Sequence, residues 1–245
     1  MPGFLYKFFH NETSDRSEKG LVNIPENPAE WPDSWKTIET KRYSLFSPIS
    51  LPSPMKTPLR QILERRNSAN AEKFRDNKLT LEQIGTILWS GYGLQAPLTK
   101  SNRTVPSAGK LYPLEIYPIF FRPIASCASG IYHYGVVAHT LEIVARRNFS
   151  QEEIAAFAPK QQWLLKNAGG MFVISSVFER VTGKYGSRGY RYILLEAGHA
   201  AQNILLSSAE QGIAVVPVGG VEEEKIESAI GLERSRERVV YVLYF

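Results

Sequence analysis

The stretch "GYRYILLEAGHAAQNILLSSAEQG", residues 189–212, reads as one long helix and constrains the fold more than any other part of the chain. Its middle holds Ala197, Gly198, Ala200 and Ala201, small residues over which a neighbouring element can pack very closely. His199 inside it reads as a hydrogen-bonded core histidine rather than a ligand.

Strands surround this helix in sequence. "LEIYPIFF", "GIYHYGV" and "TLEIVA" are rich in β-branched and aromatic residues, and "GMFVISSVF" is an apolar run that suits a buried strand. "IAVVPVGG" reads as a strand entering a glycine turn, and "RVVYVLYF" as a last strand. Shorter helices are expected at "TPLRQILERR", "TLEQIGTILWSGYG", "SQEEIAAF" and "EEEKIESAIG". The second has a capping box, Thr80 with Gln83, and glycines at 91 and 93 to stop it. Ser150 with Glu153 makes another box. Helices and strands mix without strict βαβ alternation, so the class is α+β.

Residues 1–54 lack sustained periodicity and are punctuated by proline. They are expected to form an irregular arm that packs through Trp31, Trp35, Tyr43 and Phe46, ahead of a folded domain at 55–245.

Several function classes are disfavoured. The net charge of +5 is too weak, and its basic residues too scattered, for nucleic acid. No run of 18 apolar residues is present, so no membrane span is expected. A single cysteine, Cys127, fits a reducing compartment, and the first residues lack a signal-peptide core; a cytoplasmic protein is expected. No G-x-G-x-x-G follows a strand, and there is neither a P-loop nor a nucleophile elbow. The four histidines share no metal-ligand spacing.

Four short stretches remain. "LERRNSANAEKF" places Arg65, Arg66 and Ser68 at a helix end, as surface charge or as a phosphate grip. "RTVPSAGKLYPLE" runs from Arg103 through Pro106, Ser107, Ala108 and Gly109, as a tight turn or as room for a planar ring. "GKYGSRGYRY" sets Lys184 and Tyr185 between glycines, as a solvated loop or a proton-transfer pair. "VVPVGGVEE" carries Pro217, Val218, Gly219 and Gly220, as a structural turn or a source of outward N–H groups.

In this order and spacing the four stretches resemble the flavin-dependent nitroreductase superfamily. "PSAG-LYPLEIY" and "KYG-RGYRY-LLEAGH-AQN-LL" resemble its SagB/ThcOx branch, the azoline dehydrogenases. The resemblance runs from about Leu59 to Phe245. It implies a nitroreductase-like fold with a mixed central sheet flanked by helices, non-covalent FMN, and a homodimer with the flavin at the subunit interface. It implies oxidation of a thiazoline or oxazoline to the azole in a peptide or carrier-bound substrate. The alternatives are an NAD(P)H-dependent nitro- or quinone reductase on the same fold, or a flavin-free scaffold subunit.

By the same resemblance Arg66 and Ser68, with Arg65 beside them, hold the FMN phosphate. Pro106, Ser107 and Ala108 contact the flavin ring, a backbone N–H of the Pro217–Gly220 loop reaches its N5, and Asn203 lies near the cofactor. Lys184 and Tyr185 are the catalytic pair. Asn70 stands where the branch has a second phosphate cation, and no Lys/Arg pair follows the last strand in this sequence. Arg103, Arg65 or a partner residue is then expected to supply the missing charge.

Overall fold

The computed structural model describes residues 5–13, 27–36, 40–41, 45–69, 72–76, 79–95, 102–232 and 235–245. Its helices are α1 (Leu5–Thr13), α2 (Asp33–Lys36), α3 (Pro58–Arg65), α4 (Leu81–Tyr92), α5 (Gln151–Phe157), α6 (Gln162–Leu165), α7 (Glu179–Tyr185), α8 (Arg188–Glu210) and α9 (Glu223–Ile230). Its strands are β1 (Leu114–Phe120), β2 (Gly130–Gly135), β3 (Thr140–Arg146), β4 (Gly170–Val177), β5 (Val216–Val218) and β6 (Glu237–Tyr244).

The six strands form one sheet in the order β3-β2-β1-β4-β6-β5. The α+β class is as expected, but the mixed sheet is not: every pairing among the described strands is antiparallel. Parallel neighbours need a same-direction crossover. Here β1, β2 and β3 are consecutive hairpin strands, the β3–β4 connection reverses the chain, and β4 and β5, which run the same way, are kept apart by β6, antiparallel to both.

β4 sits at the centre, and Met171, Phe172, Val173 and Ile174 are all 0% exposed. An apolar run rather than an alternation is what a strand covered on both faces requires. One face carries Phe172, Ile174, Ile116 and Leu243 against α4 and α8; the other carries Val173, Met171 and Val242 against α5 and α9.

The expected caps form. Thr80 Oγ1 accepts from Gln83 N, and Gln83 Oε1 accepts from Thr80 N. Ser150 caps Glu153 N, but the Glu153 carboxylate turns to Arg147 at 2.5 Å, so that box is only half closed. Gly91 does not stop α4. It lies inside the helix, where a Cβ would fall 2.7 Å from Ile204 Cγ1, and it lets α4 close on α8. Gly93 ends the helix.

The N-terminal segment is less irregular than its composition implies. Tyr6 and His10, one turn apart on α1, are buried; the Tyr6 ring stacks on Tyr190, and His10 Nδ1 lies 3.1 Å from Tyr190 Oη. Trp31 and Trp35 pair edge to face at 6.4 Å. Phe46 is 85% exposed rather than packed as expected, and Tyr43 lies outside the described residues.

Candidate active site

The turn after Pro106 is held in an unusual backbone state. Gly109, Lys110 and Tyr112 all have left-handed φ, at 64°, 55° and 44°. The left-handed region costs a residue with a side chain about 1–2 kcal/mol, so the surroundings must enforce it. Three bonds do. Tyr112 N donates to Ser107 Oγ at 2.9 Å, Lys110 N to Ser107 O at 3.1 Å, and Arg180 Nη1 to Tyr112 O at 3.4 Å. Pro106 is exposed, and Ser107 and Ala108 are half-buried. The Ser107 oxygen accepts from the backbone of its own turn.

Lys184 and Tyr185 do not lie in a loop. They form the last turn of α7, which Gly186 ends with φ 57°. α7 delivers both tips to the turn. A Cβ on Gly109 would fall 2.7 Å from Tyr185 Oη and 2.9 Å from Lys184 Nζ. Two motifs 75 residues apart in the chain thus converge on one glycine that leaves room for them. The Tyr185 ring stands edge-on to Tyr192 at 5.2 Å. Tyr185 is half-buried, but Lys184 is exposed, so this chain alone does not desolvate its ammonium.

A second cluster forms where α3 ends. Ala69 N donates to Val215 O at 3.3 Å, which lays the Arg65–Ser68 segment beside the chain entering β5. Arg65 and Ser68 are exposed and Arg66 is half-buried; neither arginine forms an ion pair among the described residues. Lys73 Nζ donates to Asn67 Oδ1 at 2.9 Å. A cation that the spacing after Ser68 did not reveal therefore stands beside this segment. At the far end of β5, Pro217 and Val218 pair with Leu243 and Val242. Gly219 is exposed, with no heavy atom within 4 Å of where its Cβ would be. The N–H groups of Gly219 and Gly220 have no backbone acceptor among the described residues.

Arg103 is not placed with Arg65 and Arg66. Its guanidinium lies over the rings of Tyr92 at 4.2 Å and Tyr112 at 5.0 Å, in the core behind the turn, and Nη1 is buried without a partner among the described residues. Stacking on two phenol faces suits a planar cation. Beside it lies Glu196, only 2% exposed, which nothing in the motifs singled out. Tyr92 Oη donates to Glu196 Oε1 at 2.6 Å and accepts from Leu114 N at 3.1 Å. Burial raises the Glu196 pKa, with the Ser107 and Tyr92 hydroxyls and the Arg103 charge opposing. A glutamate among alanines on the inner face of the longest helix was the signal available.

Asn203 is committed elsewhere. Its Nδ2 donates to Ser90 O at 3.0 Å and Thr104 O at 3.3 Å, tying α8 to the end of α4 and to the strand-like lead into the turn. His199 is exposed rather than in the core. Cys127 is half-buried, with its thiol pKa raised by burial, as an unreactive cysteine would be. A cavity of about 990 Å³ opens between α4 and the β2–β3 hairpin, past Trp89, Tyr132, Tyr134 and His139; no expected site residue lines it. Among the described residues no helix is long and apolar enough to cross a membrane, and no group of side chains could hold a metal ion.

Comparison with known proteins agrees with this architecture. The nitroreductase family model matches residues 63–245. The chain belongs to the nitroreductase family. MJ1384 of Methanocaldococcus jannaschii, which is named as a nitroreductase, is 31% identical over 185 residues, 76% of this chain and 90% of its own. McbC of Escherichia coli, a microcin B17-processing protein, is 26% identical over 172 residues; the match takes in 69% of this chain and 62% of McbC. Among solved structures, a chain of the E. coli McbBCD microcin synthetase complex with truncated pro-MccB17 bound shares the fold at a TM-score of 0.82 and 23% identity, covering 100% of this chain and 92% of that one. A nitroreductase-named protein from Desulfovibrio desulfuricans, solved with FMN, shares the fold at 0.52 and 15% identity, over 78% of this chain and 86% of that one. The protein is thus an oxidoreductase of the nitroreductase superfamily, related to a microcin-processing protein.

Proposed function

We propose that this protein is an FMN-dependent dehydrogenase that oxidises thiazoline or oxazoline rings to thiazole or oxazole in a peptide or carrier-bound substrate. The observation that carries this reading is the convergence of Lys184 Nζ and Tyr185 Oη on Gly109. Reduction of a nitro group or quinone by a dinucleotide needs no dedicated base, whereas aromatising an azoline does.

The residues present suit FMN. Arg66, with Arg65 and Lys73 beside it, offers cations for a phosphate, and the exposed Ser68 offers a hydroxyl. Gly219 has open space on its side-chain side, where a ring edge can approach, and the N–H groups of Gly219 and Gly220 have no backbone acceptor among the described residues. When bound, FMN supplies the two-electron acceptor. Pro106, Ser107 and Ala108 would form the wall against which the ring lies.

Aromatisation removes two electrons and two protons from the azoline. Lys184 in its neutral form takes the proton from the ring carbon, and the Tyr185 hydroxyl orients or relays. Since Lys184 is exposed in the single chain, its desolvation has to come from substrate and a second subunit. A homodimer would provide that cover. Leu194 and Leu195 on α8 are 40% and 55% exposed, and Leu45, Phe46, Ile49, Leu51 and Met55 are all above 80% exposed, more apolar surface than a monomer ordinarily leaves in water.

The test is turnover of a thiazoline-bearing peptide by the FMN-loaded protein and by Lys184→Ala, with azole formation read as a 2 Da mass loss. A fall of about 10²–10⁴-fold on removing the base is expected. Full activity in Lys184→Ala would remove the assigned role. Rapid anaerobic bleaching by NADH or NADPH, without azole formation, would favour the reductase.

A further inference from the structure

We infer that Arg180 is the positioning residue for Lys184, anchored by Glu115 and His133 so that α7 stands at a fixed height over the Gly109 turn. The inference rests on the assignment of Lys184 as the base.

α7 has only seven residues, and its N-cap position, Phe178, makes no side-chain capping bond. Two turns of helix do not fix themselves; tertiary contacts must. Arg180 and Lys184 are four apart and share a face. At the first of these positions Arg180 Nη1 donates to Glu115 Oε1 at 2.5 Å and reaches Tyr112 O at 3.4 Å. At the other, the Lys184 tip meets Gly109. The helix is therefore bonded through Arg180 to the Tyr112–Glu115 end of this short segment, while the Lys184 tip lies against its Gly109 end.

The anchor is itself held. Glu115 is in β1, paired with Ser175 of central β4. Its Oε2 faces His133 Nε2 at 3.1 Å, and His133 Nδ1 faces Glu142 Oε2 at 2.8 Å. A histidine with a carboxylate on each ring nitrogen is a double donor, hence an imidazolium. Charges thus alternate from the sheet edge to the helix: Glu142, His133, Glu115, Arg180. The side chains of Glu115 and His133 are 16% and 24% exposed, so the carboxylate that receives Arg180 is ordered and poorly screened. On a neighbouring face of α7, Lys7 of α1 reaches Glu179 at 3.5 Å, a half-exposed pair that ties the start of the helix to α1 without reaching the Gly109 turn. None of the four charged groups touches the reacting atoms; Arg180 acts through Lys184.

The experiment compares the FMN-loaded wild type, Arg180→Ala, Arg180→Lys and Lys184→Ala. Acetylation of Lys184 by acetic anhydride is read by peptide mass against Lys225, an exposed lysine on α9. Turnover on a thiazoline-bearing peptide is read as kcat and KM. Arg180→Ala is expected to keep its flavin, to label Lys184 several times faster than wild type, and to lose about 10²-fold in kcat at unchanged KM, as a misplaced catalytic group does. Arg180→Lys should restore part of both. Wild-type labelling and wild-type kcat in Arg180→Ala would overturn the inference, as would a kcat loss matched by the fraction unfolded at the assay temperature. If Lys184→Ala keeps full turnover, the base assignment fails, while the labelling rates still decide whether Arg180 places Lys184.

Discussion

Gly109 and Tyr185 meet where a side chain would crowd them: a methyl group at 109 would fall 2.7 Å from the Tyr185 hydroxyl and 2.9 Å from Lys184 Nζ. The backbone there is left-handed as well, at φ 64°. Gly109→Ala should therefore cost about 1–2 kcal/mol of stability. It should cost more in function, because the two flexible tips yield and leave their place. A loss of about 10²-fold in azoline turnover, beside a fall in melting temperature of only a few degrees, is the expected pattern. Unchanged turnover would mean that the convergence on Gly109 is not the working geometry.

The phosphate grip is the part of the cofactor site most open to dissection. A hydrogen bond to a charged group contributes about 1.5–3 kcal/mol, so Arg66→Ala should weaken FMN binding by roughly 10- to 100-fold. Lys73→Ala should weaken it less, because its amine also serves Asn67. Quenching of free FMN fluorescence by the apoprotein measures both. Wild-type affinity in the two variants would place the phosphate elsewhere.

Tyr92 holds the core behind the turn. Tyr92→Phe removes the hydroxyl that accepts from Leu114 N and donates to the buried Glu196 Oε1. Each unsatisfied buried group costs about 1–3 kcal/mol. For a chain of this size a drop of roughly 5–15 °C in melting temperature follows. Differential scanning calorimetry decides it, and a shift under 2 °C would show that water fills the vacancy without loss.

The charge chain makes stability depend on pH. The Glu115 hydrogen bond, with help from Glu142, outweighs burial and raises the His133 pKa to about 9, from 6.5 for a free histidine. A pKa raised by folding gives stability that is fully present below about pH 6.5 and is lost as pH climbs through about 9. Burial pushes Glu115 up, but the bonds from His133 and Arg180 prevail and hold it below the usual carboxylate range. Its contribution is present above the unfolded pKa and disappears toward acid. Urea midpoints should thus fall between pH 6.5 and 9 in the wild type and stay flatter in His133→Gln. Parallel curves for the two proteins would remove His133 from the account.

Local signals in the chain were legible where one short stretch suffices. The Thr80–Gln83 box starts α4 as read, since both bonds are made within four residues. The apolar run at 170–178, interrupted only by Ser175 and Ser176, becomes the doubly covered β4. α1 and α7 were not legible. They have nine and seven residues, and what makes them helical is packing, Tyr6 and His10 on Tyr190 in one and Arg180 on Glu115 in the other. Lys184 and Tyr185 lay between glycines that read as a loop for the same reason.

The sequence by itself determined the α+β class, the six strands in their order and the four motifs of the family, because hydrophobic period, caps and turn residues act over a few neighbours. Only the tertiary structure decided which of those residues work together. Arg103, close in sequence to Ser107, goes into the core because two aromatic faces and a buried carboxylate await it there. Asn203 spends its amide on two backbone carbonyls. Lys73, Arg180 and Glu196, unremarked in the chain, gain their places from partners up to 104 positions away. Such contacts depend on which surfaces the sheet brings together, and no local spacing encodes that.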